Sequence, residues 1–251
     1  MAASTYVGVA GVNRKMTKIS VGVGGVNREC RSAWVGVSGV NRQVFTSGSP
    51  LSSKAIGSIV KIKENGVQTP FIVLSHGYPA SGRTLLLRES LYDSRAWNGV
   101  STNAYATSDI DSWLNGDYLN FIDASIRAQI TAINISYTVG NRSNTVTTLS
   151  RKVFLLSYTE VGFSGSSYTN VEGSPLSYFN SASRRIGYLN GAATGWWLRS
   201  PHTGTIGRAW YVRNDGGPDG GRNVTYSYGS RPAFTLPSSI LLNDNNEIIG
   251  S

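Results

Sequence analysis

The chain has 251 residues, a formal net charge of +9 and a single cysteine, Cys30. One thiol cannot form an internal disulfide, which excludes a small scaffold held together by disulfides. No stretch approaches 18 consecutive apolar residues, so we expect no transmembrane helix, and residues 1–6 lack the charged start of a signal peptide. Only 15% of the residues are charged, whereas 29 are glycine and 13 are tyrosine, which favours β-rich structure over long surface helices.

The first fifty residues contain one short sequence three times. Residues 7–14, 21–28 and 35–42 share the pattern Val-Gly-Val-x-Gly-Val-Asn-Arg with a spacing of 14 residues. Each copy has the pattern of a strand, a two-residue turn and a second strand, which predicts an all-β arm of three hairpin repeats over residues 1–45. One such hairpin is too small to be stable alone, so the repeats are either a connector or an anchor within an assembly. In the second case the predicted assembly contacts are Asn13, Arg14, Asn27, Arg28, Asn41 and Arg42.

A small, polar, proline-containing segment at residues 46–53 predicts a linker, and residues 54–251 then form one domain. Asn65-Gly66 predicts a hairpin turn, Ser108 and Asp123 are predicted N-caps of short helices, and Pro175 suits the first turn of another. Apolar patterns predict strands at residues 56–63, 69–75, 83–88, 152–158, 196–199, 208–213, 223–226 and 231–236. Antiparallel strands with a few short helices and long loops define an α+β fold.

Patterns that resemble catalytic or cofactor sites have simpler interpretations here. Residues 77–84 have the glycine spacing of a phosphate-binding loop, but a strand-like run follows where that loop needs a helix. His76 and His202 are the only histidines, and no Cys-x-x-Cys or paired histidine indicates a metal cluster. Asp215 and Asp219 could supply oxygen ligands to calcium, although two carboxylates are few for that ion. We predict no catalytic residue, no cofactor and no metal, with calcium as the open alternative.

Residues 202–228 combine aromatic, amide and arginine side chains with glycines. Tyrosine and tryptophan offer rigid aromatic area, and Asn, Asp and Arg offer adaptable hydrogen bonds, which is typical of recognition surfaces. The alternative is a plain solvent-exposed loop. The predicted ligand-binding residues are Trp210, Tyr211, Arg213, Asn214, Asp215, Asp219, Arg222, Asn223, Tyr226 and Tyr228.

An ordered set of motifs resembles a domain of unknown function found in Gram-positive gut bacteria and their phages. These motifs are Asp-Ser-Trp-Leu-Asn-Gly-Asp-Tyr-Leu at residues 111–119, Lys-Val-Phe-Leu-Leu-Ser at 152–157, Trp-Trp-Leu-Arg-Ser-Pro at 196–201 and Gly-Ser-Arg-Pro-Ala-Phe at 229–234. The resemblance covers residues 51–242 and implies a C-type-lectin-like fold. Independently of it, Trp196 and Trp197 are expected in the core, since adjacent strand residues face opposite sides.

The resemblance does not imply an enzyme. The closing Gly-x-Arg-Pro-Ala element is shared with formylglycine-generating enzymes, which use a pair of cysteines, whereas the lectin-like region has none. The paired calcium motifs and disulfides of animal C-type lectins are also missing. The repeats before it resemble segments of phage virion and tail-region proteins.

We therefore expect a non-enzymatic phage virion protein at the tail or baseplate, exposed on the particle surface. Residues 5–45 would bind other virion subunits in a homo-oligomer or multicopy assembly, and the lectin-like domain would bind a host surface glycan or protein. The alternatives are an architectural capsid or tail decoration protein, and a cell-wall glycan-degrading enzyme, which would need two suitably placed carboxylates. Residues 1–50 carry +5 of the net +9, which favours an acidic partner subunit, with packaged nucleic acid as the less favoured alternative partner of the arm; we expect no membrane insertion.

Overall fold

The computed structural model describes residues 6–9, 12–15, 19–23, 25–30, 32–37, 40–46 and 48–249. Its first strands form three antiparallel pairs: β1 (Tyr6–Val9) with β2 (Val12–Lys15), β3 (Ile19–Val23) with β4 (Val26–Cys30), and β5 (Ser32–Val37) with β6 (Val40–Thr46). All three share one register, which places the central glycine opposite the repeat's Asn and the preceding valine opposite its Arg. The turns at residues 10–11 and 38–39 and the side chains of the predicted assembly contacts lie outside the described part. The arm and its contacts therefore stay predictions.

Residues 48–249 contain many short strands and a few single-turn helices. The strands are β7 (Ser49–Pro50), β8 (Ile59–Glu64), β9 (Val67–His76), β10 (Arg83–Arg88), β11 (Ser94–Ala96), β12 (Ile133–Gly140), β13 (Ser143–Arg151), β14 (Val153–Phe154), β15 (Gly187–Leu189), β16 (Ala192–Thr194), β17 (Trp196–Pro201), β18 (Arg208–Val212), β19 (Pro218–Asn223), β20 (Ser227–Gly229), β21 (Ala233–Pro237), β22 (Leu241–Leu242) and β23 (Ile248–Ile249). The helices are α1 (Asp109–Trp113), α2 (Leu119–Phe121), α3 (Ala124–Arg127) and α4 (Ala182–Arg185), with a π-helical turn at Leu114–Tyr118 and 3₁₀ turns at Leu51–Ser53, Tyr105–Thr107 and Ser177–Phe179.

Two five-stranded sheets carry most of the core, with the strand orders β14-β21-β10-β9-β8 and β11-β20-β17-β18-β19. Strand β10 lies in the middle of the first sheet, and its three consecutive leucines are fully buried, as expected for a strand covered on both faces. Trp196 and Trp197 on β17 are both fully buried, and their indole N–H groups donate to the backbone carbonyls of Arg185 and Arg95 at 2.8 and 3.0 Å. The prediction that this pair belongs to the core is confirmed.

A buried ionic network connects β17 with β12. The guanidinium of Arg199 donates to both carboxylate oxygens of Glu160 at 2.6 and 2.9 Å and to the carbonyl of Ser136 at 2.9 Å. The carboxylate of Glu172 accepts the backbone N–H of Thr138 at 2.8 Å, and burial raises the pKa of this glutamate. All three charged side chains are fully buried. The network thus satisfies backbone groups along one edge of β12 with charged side chains.

The arginine of the Gly-Ser-Arg-Pro-Ala-Phe motif has a structural role in this fold. Arg231 is 2% exposed, and its guanidinium lies 5.0 Å from the ring centroid of Trp196. Its Nε donates to the carbonyl of Arg88 at 3.0 Å and its Nη2 to the carbonyl of Glu89 at 2.8 Å. Burial lowers the pKa of this arginine to about 10. The side chain therefore fastens the start of β21 to the end of β10.

Local capping and turn signals are confirmed. Asn65 and Gly66 join β8 to β9 with φ angles of +48° and +80°, which a tight hairpin turn requires. The hydroxyl of Ser108 accepts the N–H of Asp111 at the start of α1, and the carboxylate of Asp123 accepts the N–H two residues further on at the start of α3. Each signal depends on contacts within four residues, which a sequence displays directly.

The predicted α+β class with a C-type-lectin-like domain is wrong. Strand makes up 42% of the residues and helix 14%, so the protein is mostly antiparallel β-sheet. The described α-helices are three to five residues long. Capping residues and prolines mark where a helix can begin but do not set its length. The helix predicted at Pro175 is only the 3₁₀ turn at Ser177–Phe179.

The strand predictions fail where side chains replace the sheet's backbone bonds. Of the strand predicted at residues 223–226, only Asn223 lies in a strand, at the end of β19; residues 224–226 form a turn, because the Asn223 side-chain carbonyl accepts the N–H and hydroxyl of Thr225. The strand predicted at residues 152–158 shrinks to β14, because the following N–H groups donate to Tyr105, Glu160 and Ser200 side chains. The hairpin β12–β13 was not predicted, since β13 is exposed and rich in Ser and Thr.

The segment predicted as a linker is partly docked on the rest of the chain. Strand β7 pairs with β22, and Leu51, which follows it, is fully buried. The boundaries of the arm and of the domain stay predictions.

Candidate functional site

The candidate site is on one face of the sheet that contains β17, β18, β19 and β20. Tyr211 on β18 lies beside the buried Trp197, with ring centroids 6.1 Å apart and an angle of 63° between the rings. The Tyr211 ring fits in this place because residue 195 is glycine: a Cβ atom on Gly195 would lie 2.6 Å from the ring. Tyr228 on β20 completes the aromatic layer, at 5.1 Å from Trp197 and 4.7 Å from Tyr211. Trp197 thus forms the buried base of the site, and the rings of Tyr211 and Tyr228 pack against it and against each other.

The guanidinium of Arg222 covers these rings, and Asp219 lies beside that guanidinium. We call the set of Tyr211, Asp219, Arg222 and Tyr228 the tyrosine–arginine cluster. The guanidinium carbon of Arg222 lies 5.4 Å from the Tyr211 ring centroid and 5.9 Å from that of Tyr228, within the range of cation–π attraction. The Nε of Arg222 donates to the Tyr211 hydroxyl at 3.2 Å and lies 3.4 Å from the Asp219 carboxylate. The Tyr211 hydroxyl raises the pKa of Arg222, and burial raises the pKa of Tyr211.

The cluster is reachable from solvent although its floor is buried. The side chain of Arg222 is 43% exposed and that of Asp219 is 29% exposed, whereas Tyr211 is only 5% exposed. Tyr228 is half-buried. A ligand would therefore meet the arginine, the aspartate and the edge of Tyr228, with Tyr211 holding the arginine in place.

Trp210 lies on the opposite face of β18 from this cluster, as expected for the neighbour of Tyr211 on a strand. Its ring contacts Tyr158 at 4.4 Å between centroids and stacks at 6.1 Å on His202. Its indole N–H donates to the carbonyl of Tyr168 at 3.2 Å, and a Cβ atom on Gly220 would lie 2.6 Å from its ring. Trp210 is 8% exposed, so its main role is packing. Burial lowers the pKa of His202.

Arg213, Asn214 and Asp215 occupy the exposed turn between β18 and β19. Arg213 and Asp215 form an ion pair with each other, and the Asp215 carboxylate also accepts the N–H of Gly217 at 2.9 Å. These two partners hold the pKa of Asp215 at about 2. Asn214 is exposed at the tip of the turn. The charges of this turn are therefore already paired with each other.

The calcium alternative finds little support in this geometry. The Asp219 carboxylate accepts the N–H of Gly221 at 2.7 Å and faces Arg222, so both predicted calcium ligands are paired with arginines. Among the described residues, no three His, Cys, Asp or Glu side chains are grouped so that they could hold a metal ion.

The remaining predicted residues have separate roles. The Asn223 side chain is bonded within its own turn, whereas Tyr226 in that turn is 58% exposed. The structure thus brings four of the ten predicted site residues into one cluster: Tyr211, Asp219, Arg222 and Tyr228. Sequence reasoning missed Gly195, whose signal was a glycine directly before a pair of buried tryptophans.

A cleft of about 360 Å³ lies elsewhere, beside β9. It is lined by Ile56, Leu74, Ser75, His76, Pro175, Leu176 and Ser177. His76 is not available there, because its Nδ1 lies 2.9 Å from the Thr84 hydroxyl and its Nε2 2.8 Å from the Lys54 carbonyl. We assign the cleft no chemistry.

The fold and the cluster define a mostly-β domain with a half-exposed aromatic and arginine surface. Residues 81–238 match the family described as a domain of unknown function (DUF6273), and the match spans more than half of the chain, so the protein belongs to this family. The tyrosine–arginine cluster lies inside the matched region. No curated protein and no solved structure matches the chain. The predicted resemblance to a domain of unknown function is confirmed at this level.

None of the described helices has the length and apolar character needed to cross a membrane.

Proposed function

We propose that this protein is a non-enzymatic recognition protein that binds a glycan on the surface of a host bacterium through the tyrosine–arginine cluster. The observation that carries the proposal is the position of Arg222, which is held over two tyrosine rings with its side chain 43% exposed. Sugar rings present apolar faces that stack on aromatic rings and hydroxyls that accept and donate hydrogen bonds. The cluster offers the hydrogen bonds through Arg222 and Asp219, and the exposed edge of Tyr228 offers apolar contact.

The hydrogen-bonding capacity of the cluster is only partly used within the chain. Among the described residues, the Arg222 guanidinium bonds to Tyr211 and Asp219 through Nε, which leaves the two terminal nitrogens available to a ligand. Tyr226, close in sequence to Tyr228, presents a further exposed ring. A guanidinium fixed before binding loses little conformational freedom when a ligand arrives, which favours affinity.

We further propose that the protein is a component of a phage virion, at the tail or baseplate, with the repeat region binding neighbouring subunits. Two features support this proposal: the shared register of the three strand pairs and the concentration of +5 of the net charge in residues 1–50. Many copies on one particle would raise the effective concentration of weak sites and produce strong adsorption.

Adsorption of the purified full chain to Gram-positive bacterial cell walls tests the recognition proposal. We expect binding that survives protease treatment of the walls and is lost after periodate oxidation of their sugars. Loss after protease instead would make the ligand a protein and contradict the glycan assignment.

Two tyrosine variants locate the binding surface. Tyr226→Ala and Tyr188→Ala both remove an exposed ring, since these residues are 58% and 48% exposed, but only Tyr226 lies near the cluster in sequence. We expect Tyr226→Ala to weaken adsorption and Tyr188→Ala to leave it unchanged. A wild-type chain that does not adsorb would favour the architectural alternative, and release of soluble sugar from the walls would favour an enzyme.

A further inference from the structure

The two edges of the hairpin β12–β13 differ in how their backbone groups are satisfied. On β12, the carbonyl of Ser136 accepts from Arg199 and the N–H of Thr138 donates to Glu172. In a strand, the N–H and C=O of one residue point to the same side and those of the next residue to the other. The backbone N–H and C=O groups of the even-numbered residues of β12 therefore point toward the buried ionic network, and those of the odd-numbered residues bond to β13.

The register of the hairpin then fixes which groups of β13 point away. Tyr137 is opposite Thr147 and Thr138 is opposite Val146. Since the odd-numbered residues of β12 bond across the hairpin, the backbone N–H and C=O of Thr147 point toward β12. The backbone groups of Val146, Thr148 and Ser150 point away from the hairpin. This outer edge belongs to a two-stranded sheet and pairs with no other described strand.

Side chains cover both ends of this outer edge but not its middle. The carbonyl of Asn144 accepts the side-chain amide of Asn170 at 3.2 Å, and the carbonyl of Ser150 accepts the guanidinium of Arg151 at 2.9 Å. Within the described part of the chain, the N–H and C=O groups of Val146 and Thr148 have no such partner. The open part of the edge is thus two outward residues, at the centre of a strand of nine.

We propose that this edge pairs with the same edge of a second copy of the chain, in an antiparallel arrangement that places Val146 of each copy opposite Thr148 of the other. The four free groups on each copy are then used in four intermolecular hydrogen bonds. The two hairpins become one four-stranded sheet, which is more stable than an isolated two-stranded one.

The composition of β13 favours a copy of itself as the partner. Residues 143–150 contain no charged side chain, so no like charges lie opposite each other within the paired stretch; in this register Arg142 and Lys152 lie opposite each other only beyond its ends. The side chains of Val146 and Thr148 are exposed and β-branched, which suits cross-strand packing.

Other sheet edges in the described residues carry features that discourage pairing. Strand β19 contains Pro218 and two glycines, and β8 carries Lys61 and Lys63 along its edge and bridges to Glu247. Strands β11 and β14 are only three and two residues long. Proline, lysine and short length are the usual protections of an edge strand, and the middle of β13 has none of them.

Sedimentation of the full chain, with a matched pair of variants, tests this pairing. Thr148→Pro removes the outward N–H without removing a bond to β12, whereas Thr148→Ala keeps that N–H. We expect twice the monomer mass for the wild type and for Thr148→Ala at about 100 μM, and the monomer mass for Thr148→Pro. A wild type that is monomeric, or a Thr148→Pro variant that stays dimeric, would overturn the proposal.

Hydrogen exchange of the wild-type chain gives a second test that needs no folded variant. The amides of Val146 and Thr148 should exchange more slowly as the protein concentration rises, because the second copy covers them. The amide of Thr147 faces β12 and should be protected at every concentration. Exchange at Val146 and Thr148 that does not depend on concentration would contradict the pairing.

Discussion

Arg199→Met is the substitution that most directly examines how this fold is held together. In the native protein the guanidinium of Arg199 donates to both oxygens of Glu160 and to the carbonyls of Ser136 and Leu155. Methionine fills a similar volume but donates nothing, so it leaves a carboxylate and two carbonyls buried without these donors. Breaking a buried ion pair by removing one partner costs about 3–5 kcal/mol. For a chain of this size that corresponds to a fall in Tm of roughly 6–20 °C.

Urea unfolding of the wild type, Arg199→Met and the double variant Arg199→Met with Glu160→Gln measures this cost. The double variant removes the unpaired negative charge of Glu160, so we expect it to be more stable than the single variant. The cost of Arg199→Met should also be smaller at lower pH, since burial raises the pKa of Glu172 and protonation of this carboxylate removes an unpaired charge. A loss below about 1 kcal/mol, or a double variant no more stable than the single one, would refute this account of the network.

Two further experiments test other parts of the fold. Burial raises the pKa of Asp111 to about 6, above its value in an unfolded chain, although it is paired with Arg151. The native state therefore binds the carboxyl proton of Asp111 more tightly than the unfolded chain does, and the contribution of this residue to stability falls by up to about 3 kcal/mol as the pH rises from about 4 to 7. Asp111→Asn should flatten the dependence of the unfolding free energy on pH. An unchanged pH profile would contradict the assignment. Gly216→Ala and Gly66→Ala both place alanine at a positive φ, but only at Gly216 would the Cβ lie 2.0 Å from a backbone oxygen, that of Ala182. We expect Gly216→Ala to lower Tm by more than Gly66→Ala does, and equal losses would show that the close approach of Ala182 carries no cost of its own.

The sequence was a good guide where structure depends on near neighbours. The Asn65-Gly66 turn, the caps at Ser108 and Asp123, and the buried run of β10 follow from turn chemistry, capping and apolar patterning over a few residues. The boundaries of the strand predicted at residues 83–88 agree with β10. Such features need no knowledge of the distant chain.

The sequence was a poor guide where distant side chains decide the backbone. Arg199 lies in an apolar motif, and nothing near it in sequence indicates that Glu160 and Glu172 neutralise it. The hairpin β12–β13 was missed although residues 133–139 alternate apolar and polar side chains, because its second strand is exposed and rich in Ser and Thr. The predicted recognition residues were also divided by strand alternation, which places Tyr211 in the cluster and Trp210 on the opposite face.

The central claim is that the tyrosine–arginine cluster binds a surface glycan, and calorimetric titration of the full chain with purified cell-wall polysaccharide tests it most directly. A hydrogen bond to a charged group contributes about 1.5–3 kcal/mol, so Arg222→Ala should weaken binding roughly 10- to 100-fold. The Tyr188→Ala control should bind like the wild type. Equal affinities of wild type and Arg222→Ala for a polysaccharide that does bind would contradict the claim.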